Sequence, residues 1–171
     1  MTTYKLVDMV DLSQCAKFGR NLTRHSRQVK FIMLHHSASN RISWEQLKAL
    51  HCGQLHKWPS IGYHYFVRKD GYVYKCNDWN RVVNGCKDFN TPTVHICFEG
   101  NYMYDEFMHN LNDVLGLVMR DLDSKIRIED VLLHSHKKNT ECPGINLVKS
   151  YNAYMADKIT KQALIWSDIE P

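Results

Sequence analysis

The chain is 171 residues long, 44% hydrophobic and 23% charged, the balance of one globular domain with a single core. Its net charge of +4 is scattered rather than gathered in a basic stripe, which gives no ground for a nucleic-acid interface and suits an anionic wall at most. No apolar run approaches the roughly 18 residues of a membrane span, so no membrane association is expected.

The first residues break their apolar character at Asp8 and Asp11, so no signal peptide is expected and the protein is read as starting in the cytoplasm where it is made. Residues 1–29 read as an extension packed on the domain, with a short extra helix within 11–25. Residues 30–161 form the domain proper, and 162–171 a tail too short to be a wall-binding module.

Within the domain, strand and helix patterns alternate. Residues 30–34 are a short apolar run suited to a buried strand. Ser43 and Gln46 have the spacing of a capping box, opening a helix from 43 to about 57. Residues 62–68 are aromatic and β-branched, and Asp70-Gly71 is a two-residue hairpin signal that returns the chain as a strand over 72–76. Another strand covers 93–98. Phe107, Leu111, Val114, Leu115, Val118 and Leu122 recur every three or four positions, one face of a helix from about 105 to 123. A last strand covers 129–133, and Leu147, Tyr151, Tyr154, Met155 and Ile159 mark a C-terminal helix. The expected fold is α/β: a single domain with a central mixed sheet flanked by helices.

The six cysteines include no CxxC pair, which argues against a disulfide framework. The ten histidines are more unusual, because several sit where strands end. His35-His36 follows the first apolar run, His134-Ser135-His136 follows the last, and Cys142 stands in the loop beyond. Alternation along a strand keeps His35 and His36 from facing one site, whereas His134 and His136 share a side. One imidazole from each strand end and one thiolate make a three-ligand set, the pattern of a catalytic zinc with an open fourth position. Ordinary surface histidines and a small buried cysteine fit the same residues. His51, His56, His95 and His109 are grouped by nothing local and read as ordinary residues.

Four segments occur in order: FIMLHHSAS at 31–39, GYHYFVRKDG at 62–71, HICFEGNY at 95–102 and LHSHKKNTECPG at 133–144. Together they resemble the type-2 N-acetylmuramoyl-L-alanine amidases, a family that includes phage endolysins and animal peptidoglycan-recognition proteins. The resemblance implies zinc held by His35, His134 and Cys142, with Tyr63 and Thr140 assisting catalysis. His36 and His136 become neighbours of the metal, with His136 the rival of His134. It also implies a monomeric enzyme acting on the muramyl-peptide of bacterial peptidoglycan. Its substrate bond is the amide between the lactyl group and L-alanine, and its role is endolysin-type lysis.

Some positions depart from the family pattern. No histidine occurs in Val83–Lys87, where many relatives carry one, and His95 replaces a common glycine, so it is expected to crowd or line the cleft. Cys97 stands where the recycling branch of the family has Glu, and Cys142 where that branch usually has Asp, which favours the lytic branch. A non-catalytic peptidoglycan-binding module of the same fold is the alternative. Such modules commonly lack the cysteine ligand.

Overall fold

The computed structural model describes residues 3–167, with side chains described as far as Lys161. Six strands and three α-helices follow in the order β1 (Lys5–Asp8), β2 (Phe31–His36), α1 (Trp44–His51), β3 (Tyr65–Val67), β4 (Tyr72–Lys75), β5 (Thr93–Phe98), α2 (Leu111–Asp121), β6 (Asp130–Leu133) and α3 (Ile145–Ser167). They form one sheet ordered β1-β4-β3-β5-β2-β6, in which β3 and β4 are antiparallel and every other neighbouring pair is parallel. The mixed α/β sheet is therefore as the sequence pattern predicts.

Strand alternation divides the core in two. Ile32, Leu34, Ile96 and Phe98 face α2 and α3, where they meet Val114, Val118, Leu147 and Tyr151. Each such side chain, fully removed from water, contributes roughly 1.5–3 kcal/mol. On the opposite face Phe66 and Cys97 pack under Trp44 and Leu47 of α1, while Met33 and Leu132 pack against Cys86. His35 of β2 lies on the same side of its strand as Met33, and His134 follows directly on β6.

Several boundaries differ from the sequence expectations. The strand expected over 30–34 runs on through both histidines to His36. The Ser43–Gln46 capping box forms in both directions, but α1 ends at His51 rather than near 57. Gly53 follows the C-cap, and the His51 ring turns inward to the chain before Tyr63. The hairpin loop has three residues, not two: Gly71 N–H donates to Arg68, Tyr72 O accepts from Arg68, and Gly71 has φ +90°.

The helix expected from about 105 begins at Leu111, because Asn110 caps it by accepting from the N–H groups of Asn112 and Asp113. The extra helix expected within 11–25 is only a 3-10 turn at Ala16–Phe18, and the strand β1 is added to the sheet edge. The segment beginning at 162 continues α3 to Ser167, and 168–171 lie outside the described residues. Among the described residues no helix is long and apolar enough to cross a membrane.

Candidate metal centre

The register of the two central strands assembles the site. Leu34 of β2 pairs with Leu133, the last residue of β6, so His134 follows beside His35, which is still held within β2. Their ring centroids are 4.6 Å apart. His36 points to the other face, where its Nδ1 accepts the N–H of Tyr102 at 3.2 Å. Alternation thus separates His35 from His36 as expected.

It does not hold for the second pair. The chain turns into a 3-10 helix over His134–His136 directly after Leu133, which ends the strand period. His134 joins His35, while His136 swings away, stacks edge-on against Tyr151 and accepts the N–H of Leu133 at 3.3 Å. His136 is therefore no neighbour of the cluster.

Cys142 arrives from the following loop. Its carbonyl accepts the N–H of Ser135, and the Cys142–Pro143 peptide is cis. Gly144, at φ +91°, lies so close to the backbone of Tyr102 that a Cβ would come within 2.4 Å of the Tyr102 carbonyl carbon. Only glycine lets the loop dock there, after which Asn146 N–H bonds to Tyr102 O at 3.0 Å. The docked loop places Cys142 Sγ 3.8 Å from His35 Nδ1.

One donor atom from each of His35, His134 and Cys142 lies within 4.8 Å of the other two. Zinc bonds of about 2.3 Å to sulfur and about 2.0 Å to nitrogen, at a tetrahedral angle, span about 3.6 Å, close to the observed sulfur–nitrogen separation. The Nδ1 of His134 is buried with no hydrogen-bond partner among the described residues. Burial, reinforced by the neighbouring imidazoles, lowers the pKa of His35 well below its ordinary value, and burial also lowers that of His134. Both rings are neutral at pH 7 and offer lone pairs. Burial pushes the Cys142 thiol up to about 12, so the sulfur keeps its proton until a cation displaces it. The donor set and the orphaned nitrogen fit a zinc ion.

Tyr63 borders the cluster with its ring centroid 5.2 Å from that of His35, and burial raises its hydroxyl well above the ordinary tyrosine range. It is a neutral donor, not a base. Thr140 Oγ1 accepts the N–H of Cys142 at 3.2 Å, which leaves its own proton for another acceptor. The structure thus brings all five residues singled out in the sequence to one place.

Two further residues belong there: His51, which the sequence reading leaves as ordinary, and His95, which it expects only to crowd or line the cleft. His95 Nδ1 is 3.0 Å from His35 Nε2, and His51 Nδ1 accepts the N–H of Gly62, the residue before Tyr63, at 3.1 Å. Both contacts cross between elements distant in sequence, so no local spacing reveals them. Beside the replaced glycine, a second signal is that His95 lies on the same side of β5 as Cys97, which pairs with His35.

A family model described as N-acetylmuramoyl-L-alanine amidase matches residues 25–145, and the chain belongs to that family. Peptidoglycan-recognition protein SC2 of Drosophila melanogaster is 26% identical over 143 residues, covering 75% of this chain and 77% of that protein. The endolysin N-acetylmuramoyl-L-alanine amidase LysCS from Clostridium intestinale URNW superposes with a TM-score of 0.68 at 26% identity, covering 84% of this chain and 90% of its own. Drosophila PGRP-LB, solved in complex with tracheal cytotoxin, superposes with a TM-score of 0.61 at 19% identity, covering 85% of this chain and 91% of that one. That last likeness shows the fold alone.

Proposed function

We propose that this protein is a zinc-dependent N-acetylmuramoyl-L-alanine amidase that hydrolyses the lactyl–L-alanine amide of bacterial peptidoglycan. The observation that carries the reading is the convergence of His35, His134 and Cys142 donor atoms within 4.8 Å of one another, two nitrogens and one sulfur, a three-ligand set. A zinc ion held there supplies a Lewis acid and activates a water for attack on the amide carbonyl.

The remaining chemistry falls to the chain's own residues. His35 and His134, neutral at pH 7, bind through lone pairs without first losing a proton. Tyr63 donates its hydroxyl proton to the carbonyl oxygen as negative charge develops there, a fixed dipole that needs no reorganisation. Thr140 uses one lone pair to fix the backbone of Cys142, which leaves its own O–H free to donate to the substrate. Endolysin-type lysis is the role we favour, supported by the likeness to the LysCS endolysin and by a cysteine at position 142.

Digestion of purified peptidoglycan by native, metal-stripped and Cys142→Ser protein tests this, scoring freed amino termini against freed reducing sugars. New L-alanine amino termini that vanish on chelation and in the variant are expected. Retention of peptidoglycan without any bond cleavage would establish a recognition module instead.

A further inference from the structure

We propose that His95 is a positioning residue for His35: it accepts the Nε2–H of His35 and so holds the Nδ1 lone pair of His35 toward Cys142 and His134. The inference rests on the zinc reading of His35 above.

Each nitrogen of the His35 ring has one neighbour. Nδ1 is 3.8 Å from Cys142 Sγ, and Nε2 is 3.0 Å from His95 Nδ1. Both rings are buried, His35 at 1% exposure and His95 at 0%, so water does not decide which nitrogen of His35 carries the proton. His95 decides it. An imidazole that binds a metal through one nitrogen donates its other N–H to a fixed acceptor, usually a carboxylate, a carbonyl or water. Here the acceptor is a neutral imidazole, which orients the ligand without adding negative charge to the centre.

The acceptor is itself held from three sides. His95 N–H donates to His64 Nδ1 at 3.0 Å, and His95 O accepts the N–H of His64 at 2.9 Å. The two rings stack with centroids 5.9 Å apart and planes 20° from parallel. From the loop side Gly85 leaves the room the ring needs, for a Cβ on Gly85 would come within 2.5 Å of His95 Cγ.

A purely structural role fits the site poorly. Among the described residues the only ring hydrogen bond of His95 is the one to His35, and its Nε2 is buried with no partner. Burying an imidazole with one nitrogen unsatisfied destabilises a fold, and an apolar side chain would serve packing better.

The test is zinc affinity of the full chain, by competition with a chromophoric chelator, beside thermal melting of the metal-free proteins. His95→Leu is expected to lower zinc affinity about 10- to 100-fold while the metal-free protein melts no lower than the native one. His95→Asn, whose Oδ1 takes the place of Nδ1, is expected to bind zinc close to the native level. Gly85→Ala, which displaces the ring without replacing it, is expected to weaken zinc in the same direction and serves if His95→Leu does not fold. Native affinity in His95→Leu and Gly85→Ala, or a loss in His95→Asn equal to that in His95→Leu, overturns the inference. If native protein and His35→Ala take up equally little zinc, the zinc reading itself is overturned and this inference with it. That result differs from native protein binding tightly with His95 making no difference.

Discussion

His51, in the last turn of α1, accepts the backbone N–H of Gly62 through its Nδ1 at 3.1 Å, and its ring meets that of Tyr63 edge-on with centroids 5.4 Å apart. A helix end thus sets the approach of the catalytic tyrosine proposed here. Accepting at Nδ1 requires a neutral ring, and burial, with the neighbouring His56, lowers the His51 pKa from 6.5 to about 4. Because the folded state resists protonation, the unfolded chain binds more protons between pH 6.5 and 4. The contribution is fully present above pH 6.5 and is lost as pH falls toward 4, on the order of 3 kcal/mol in all. Denaturant melts from pH 7 to 4 should show this loss, and His51→Asn, which keeps an acceptor and cannot titrate, should show a shallower one. An unchanged pH slope would count against this role.

Zinc uptake should release about one proton per ion at pH 7. His35 and His134 are already neutral there, while burial holds the Cys142 thiol protonated with a pKa of about 12. Calorimetry in buffers of different ionisation enthalpy reads the number directly. Apparent affinity should rise about tenfold per pH unit around neutrality, and this dependence should disappear in Cys142→Ala, which binds far more weakly.

Tyr63→Phe should lower kcat about 100- to 1,000-fold, the usual consequence of losing one donor to a developing oxyanion. Its KM and zinc content should change little, since the Tyr63 ring remains to pack beside His35. A loss confined to KM would assign the hydroxyl to substrate binding instead.

Arg24 is 5% exposed and donates to the carbonyls of Trp79, Asn90, Thr91 and Thr93. It fastens the N-terminal segment to the chain leading into β5. Arg24→Met should destabilise the protein by about 3 kcal/mol or more, because several buried carbonyls lose their donor together. Chemical denaturation measures it, and a cost below about 1 kcal/mol would mean the segment relaxes enough to rehydrate them.

Metal removal should lower the melting temperature. Free zinc at 100 times its dissociation constant stabilises the folded state by about 2.7 kcal/mol, which for a domain of this size is roughly 5–10 °C. Chelation of native protein should reverse the shift, and Cys142→Ala should show almost none.

What could be read from the sequence was what short-range periodicity encodes. Alternation along a strand separated His35 from His36, and the Ser43–Gln46 spacing placed the start of α1. Alternation misled at His136, because it holds only while the strand lasts and the chain turns into a 3-10 helix after Leu133. β1 was missed since Lys5–Asp8 is a four-residue edge strand with both ends exposed, held by pairing with β4 and by Leu6 against the core. Nothing in the sequence sets Arg24 apart from the other scattered charges, because its partners are carbonyls 55 to 69 residues away along the chain. The replaced glycine placed His95 at the cleft, but its contact with His35 escaped for the same reason, since it lies across the sheet.

The pairing of β2 with β6 has a consequence in time as well as in space. His35 leaves the ribosome about a hundred residues before His134 and Cys142, and β6 must dock beside β2 before the later ligands reach it. A nascent chain, or one broken anywhere before position 142, carries an incomplete ligand set whatever else it has folded. On the proposed zinc reading, catalytic competence would wait until position 142 has been made and its loop has docked, and zinc occupancy would read out that docking.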